Sequence, residues 1–108
     1  MSVSSSTDKQ PEPSRDVVVL SVNRALWQEV SAAVRAVFCK VEDGVISIRF
    51  VVEGAIADDD RDSTSCVAAE VIADFPDHRV NERIERLDPP TRVAMPPGWH
   101  LVVHRREG

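Results

Sequence analysis

Apolar and polar positions alternate most cleanly in residues 45–53, where Ile46, Ile48, Phe50 and Val52 fall on one side and Val45, Ser47, Arg49 and Val51 on the other. A period of two marks a half-buried strand. The preceding run, 33–41, is rich in β-forming residues and joins it through Glu42-Asp43-Gly44, a hairpin signal because Asp-Gly pairs accept positive φ. In this first strand Val37, Cys39 and Val41 oppose Arg35 and Lys40 less regularly, so its inward face stays open.

Two stretches carry the helical period instead. Residues 21–34 place Val22, Leu26 and Val30 four apart behind a cap at Ser21 or Asn23, which predicts an amphipathic helix of about three turns. Trp27 lies beside that stripe and is expected to close the edge of the core. In residues 57–76, Val67, Val71 and Phe75 repeat at the same spacing, Cys66, Ala68 and Ile72 broaden the apolar face, and Pro76 ends the helix. Glu70 and Asp74 fall together on another face. Asp58, Asp59, Asp60 and Asp62 stand where this helix begins, next to its unpaired amides and the positive end of its dipole.

Beyond Pro76, residues 79–87 alternate weakly and suit a strand with one wet face. Asp88-Pro89-Pro90 breaks it, 91–98 form a loop, and 99–106 form a closing strand with Trp99, Leu101 and Val103 opposite His100, Val102 and His104. The order α-β-β-α-β-β predicts an α+β domain of two layers, a four-stranded, mainly antiparallel sheet with two helices on one face. Its other face, bearing Arg49, Arg83, Glu85 and His100, is expected to be open.

Composition adds boundaries. Residues 1–15 are rich in Ser and Pro and are expected to form a disordered tail, leaving 16–108 as one domain. With 43% hydrophobic and 29% charged residues the chain can build a core without disulfide or metal staples. Cys39 and Cys66 sit in apolar runs and read as buried thiols of a reducing compartment. No stretch approaches the roughly 20 apolar residues of a membrane span or the core of a signal peptide, which predicts a cytoplasmic protein. The net charge of −5, from 18 acidic and 13 basic side chains, disfavours nucleic acid and anionic membranes and favours a basic protein partner.

Motifs for chemistry fail on inspection. Asp58, Asp60 and Asp62 have the 1, 3, 5 spacing of a calcium loop, but Ser63 stands where the sharp turn needs Gly and Ala69 where a bidentate Glu is needed. His100 and His104 on an extended strand would stand about 13 Å apart, too far for one zinc ion. The four glycines are dispersed, so no phosphate loop can be assembled. No catalytic residue, metal site or cofactor is predicted. The carboxylates are many and local, an arrangement suited to electrostatic docking rather than to acid-base work.

The segments NRALWQEV (23–30), RAV (35–37), VEDG (41–44) and above all CVAAEVIADFP (66–76) resemble a family of small bacterial immunity-like proteins of contact-dependent or colicin-like toxin systems. The resemblance covers residues 17–106. It implies a non-enzymatic, acidic, cytoplasmic inhibitor that occludes a toxin domain, often a basic nuclease, with Asp58, Asp59, Asp60, Asp62, Glu70 and Asp74 as the contact residues. The longer tail and the Pro-rich 89–97 loop depart from the family pattern. Two other readings use the same chain: a small-molecule-binding or enzymatic domain working on the open sheet face with Trp27 or Trp99, and a homodimer joined through a sheet edge or face.

Overall fold

The computed structural model describes residues 13–27 and 32–105. In chain order it contains α1 (Arg15–Leu26), β1 (Val34–Glu42), β2 (Val45–Val52), α2 (Asp58–Asp74), β3 (Arg79–Arg86) and β4 (His100–His104). The strands lie in the order β3-β2-β1-β4, with α1 against β1 and β4 and α2 against β3 and α1. The expected α+β architecture is therefore present. β1 runs antiparallel to β2 and β4, whereas β2 and β3 run parallel, so the sheet is mixed. The parallel pair follows from α2, which returns the chain to the end of the sheet where β2 began.

The first helix starts earlier than its periodicity suggests. Ser14 is the N-cap, its hydroxyl accepting from the Val17 amide at 3.3 Å, and Ser21 lies in mid-helix. The four-residue apolar run 17–20 hides the helical period, yet Val18 is buried one turn before Val22. Val22 and Leu26 face the core as expected, while Val30 and residues 1–12 of the expected tail lie outside the described residues.

The β1–β2 hairpin turns at Asp43 and Gly44, whose φ values of 52° and 78° are the pair of positive angles that a tight two-residue hairpin needs. The Gly44 carbonyl then accepts from the Arg79 amide at 2.9 Å, tying the turn to the start of β3. The inward face of β1, open in the sequence, consists of Val37, Cys39 and Val41. They join Ile46, Ile48 and Phe50 of β2, Val18 and Val22 of α1, and Val67 and Val71 of α2 in the main core.

The opposite sheet face is not fully open. Ala36, Phe38 and Val51 are buried there beneath Leu87, Val93 and Trp99, so the Pro-rich connection between β3 and β4 folds over one end of the sheet. The Lys40 ammonium stands 4.9 Å from the Trp99 ring centroid and completes this second, smaller core. Elsewhere on the face Arg49 pairs with Glu85. The pairing of β4 shifts at Val37/Phe38, so Leu101 opposes Phe38 and Val103 opposes Val37. Strict alternation placed these two on one face; the irregularity separates them. It also puts His100 opposite Cys39, on the helix side rather than the expected outer face.

Asp88 fixes the point where the connection leaves β3. Its carboxylate accepts from Arg86 Nε at 3.1 Å and from the Gly54 amide at 2.8 Å. The Arg86 hydrogen bonds, then the Gly54 amide, hold the Asp88 carboxyl below its ordinary range. For a depressed acid the sign is definite. The contribution is fully present above the unfolded value near 3.9 and is lost as pH falls through the lower folded value. Asp88→Asn should therefore flatten the acid limb of the stability profile below about pH 4. Urea unfolding from about pH 2.5 to 6 checks this; an unchanged acid limb in the variant would remove Asp88 from the account.

Candidate functional site

The candidate surface is built on α2, a 17-residue helix. Thr64, Val67, Ala68 and Val71 are its buried positions, and they fix how the helix is turned. At about 100° per residue the opposite face comprises Asp58, Asp59 and Asp62 in the first turns, then Cys66, Ala69 and Ala73, with Glu70 at the flank towards α1. Cys66 is exposed, contrary to the buried thiol expected from its apolar neighbours. One residue of helix rotation separates it from the buried Val67. Arg61, the only basic residue of α2, falls on the flank away from α1.

The six carboxylates expected to form one contact set divide into two groups. Ala57, at the N-cap, has no side-chain acceptor, and Asp60 closes the helix start by accepting from the Ala57 amide at 3.0 Å. Asp74 joins the helices. It accepts from the Ser21 hydroxyl at 2.6 Å and from Arg24 Nη2 at 3.0 Å. Asp60 and Asp74 thus hold intramolecular positions. Asp58, Asp59, Asp62 and Glu70 are exposed and have no hydrogen-bond or ion-pair partner among the described residues. The three aspartates gather negative charge at the end of the helix where its own dipole tolerates it best.

The groove between the helices continues this surface. Arg24, Ala25, Trp27 and Glu70 line an open depression of about 370 Å³. Trp27 does not close the core edge: its side chain stands out from the end of α1 with 82% of its surface exposed. Val17 and Leu20 are also exposed on α1, and no role for them was legible in the sequence. The available signal was their position off the buried stripe, apolar where a helix normally turns polar. A second open depression of about 360 Å³ lies at Lys40, Val41, Glu42, Pro97 and Gly98, on the rim of the small core.

Among the described residues, the side chains with potential for chemistry stand in separate places. Burial pushes the Cys39 thiol up to about 11, so its nucleophilic thiolate is scarce near neutral pH. His78 packs edge-on against Phe75 at 6.1 Å, and His104 Nδ1 lies 2.8 Å from the Arg105 carbonyl oxygen. Asp58, Asp60 and Asp62 are wound into helix, which points Asp60 away from the other two, so their spacing does not build a calcium loop. Among the described residues, no three His, Cys, Asp or Glu side chains are grouped to hold a metal ion. Nor is any helix there long and apolar enough to cross a membrane.

Comparison with known proteins adds identity to this geometry. A search of curated proteins gives no match. A sequence model of the MafI2 immunity protein family matches residues 15–107, which takes in both helices, all four strands and the connection folded over the outer face. The chain belongs to the MafI2 immunity protein family.

Proposed function

We propose that this protein inhibits a basic toxin domain in the cytoplasm by covering it with the acidic, outward face of α2. Membership of an immunity family supports inhibition of a toxin by binding. The observation that carries the docking surface is the exposed set Asp58, Asp59, Asp62 and Glu70 on one rigid helix. Lys and Arg side chains of the partner are steered to these carboxylates over a distance comparable to the screening length, about 8 Å at physiological salt. Inhibition then needs no chemistry by this protein, only occlusion of the toxin's working surface.

The test is association kinetics with a purified basic toxin domain that this protein inhibits. The association rate should fall steeply as salt rises. The triple variant Asp58→Asn/Asp59→Asn/Asp62→Asn should associate about tenfold more slowly at low salt, with a shallower salt dependence. Asp60 and Asp74 are left intact because their replacement would disturb the helix start and the helix pair. An association rate indifferent both to salt and to the triple substitution would remove the acidic face as the docking surface.

A further inference from the structure

Exposed carboxylates explain how a basic partner arrives but not what keeps it bound. Charged residues are depleted from the desolvated centres of protein interfaces and act mainly on the association rate from the rim. The outward face of α2 offers no substitute, since behind its aspartates come only Cys66, Ala69 and Ala73, too small to fill a pocket on another protein. Ile72 is exposed on α2 but lies on the flank opposite Asp74, away from α1.

The missing centre is on α1. Val17, Leu20 and Trp27 are 50%, 57% and 82% exposed and fall on one face of the helix at intervals of three and seven residues. They form an apolar ridge about 15 Å long. The ridge meets the acidic surface at its Trp27 end, beside Glu70. Ser21 and Arg24 meet Asp74, whereas Ala25 and Trp27 share a depression with Arg24 and Glu70, so the helices run antiparallel and the Trp27 end of α1 is the end nearer the acidic start of α2. Arg24, the one cation on the ridge face, is paired with Asp74 and adds no unbalanced positive charge against a basic partner.

We infer that the helix layer binds the toxin domain as one composite surface, with Val17, Leu20 and Trp27 as the desolvated centre and Asp58, Asp59, Asp62 and Glu70 as the rim. This rests on the acidic docking proposed above. The occupant is a domain that presents an apolar patch bordered by Lys or Arg; charge complementarity to the rim selects it over a second copy of this chain, whose own rim would repel. Trp27, with its large rigid ring at the junction of ridge and carboxylates, has the character of a binding hot spot.

Dissociation and association rates of that toxin domain, measured separately, distinguish this inference from the reading beneath it. Trp27→Ala should raise the dissociation rate about 30-fold while changing association less than threefold, and Leu20→Ser should do the same more weakly. Trp27→Phe should restore most of the residence time. The aspartate triple variant should instead slow association. Because Leu20 and Trp27 are exposed, unchanged melting temperatures will certify that both variants fold. If Trp27→Ala dissociates at the native rate while the triple variant still slows association, the ridge is overturned and the acidic docking stands. Native kinetics in both variants overturns the two together. A native dissociation rate combined with loss of a dimer in sedimentation would assign the ridge to self-association and overturn its role in toxin binding.

Discussion

Replacing Arg35 by alanine is expected to lower the unfolding free energy by about 3 kcal/mol, a large share of the roughly 5–15 kcal/mol of a small domain. Arg35 is the largest side chain fully buried among the described residues, 1% exposed at the irregular start of β1. Its Nη1 donates to the Leu87 carbonyl at 2.6 Å, and its charge also favours the ionised form of Asp88. The guanidinium therefore pins the end of β3 to the beginning of β1. Arg35→Ala loses the packing of the long aliphatic stem and, secondly, the polar interactions of the guanidinium, the bond to the Leu87 carbonyl among them. Arg35→Met keeps most of the stem and isolates the second, about 1–2 kcal/mol. Urea unfolding of both variants checks the order. If methionine proved as costly as alanine, the hydrogen bond rather than the packing would dominate.

That pin also explains which parts of the fold were legible in the sequence. The alternation in 45–53 is a property of the extended chain itself, and the positions it marked, Ile46, Ile48, Phe50 and Val52, are all buried. The Asp43-Gly44 turn is equally local. What could not be read were events in which distant segments meet. Leu87, Val93 and Trp99 stand isolated among prolines and polar residues, with no period to show that they come together over Phe38 and Val51. Arg35 looked like an interruption of β1 because its acceptor lies 52 residues away. The parallel placement of β3 depends on a strand pairing that periodicity does not encode.

The candidate site divides along the same line. Its location was legible because carboxylates crowd one short stretch of chain. The reduction from six to four was not, since Asp60 is taken by an amide at Ala57 and Asp74 by side chains 53 and 50 residues distant, Ser21 and Arg24. Trp27 failed for a different reason. A large aromatic beside an apolar stripe is normally inside, and only the turn of α1 set by its buried positions shows that this one is outside. The sequence thus located the charge proposed to steer a partner. The apolar ridge argued to retain it became visible only when α1 and α2 were set side by side.

Replacing Phe50 by alanine is expected to have the largest effect of any single core truncation, about 4 kcal/mol. Phe50 lies on the central strand β2, opposite Val37 on one side and Ile84 on the other, and its ring belongs to the core shared with both helices. The surrounding groups are held by backbone pairing on two sides, so the cavity cannot collapse and the full transfer and cavity terms apply. Phe38 makes the contrast. It is as well buried, but its cover of Leu87, Val93 and Trp99 comes from a connection outside regular structure. That cover can settle into the space left by Phe38→Ala, which should cost about 1 kcal/mol less than Phe50→Ala. Amide exchange would then quicken in the connection and β4 first, while Phe50→Ala should quicken exchange in every element together. Equal costs with uniform exchange in both variants would show that the two faces of the sheet form one cooperative core. The unequal result would place α2 and the ridge of α1 in the rigid layer and leave the connection over the outer face as the part that opens first.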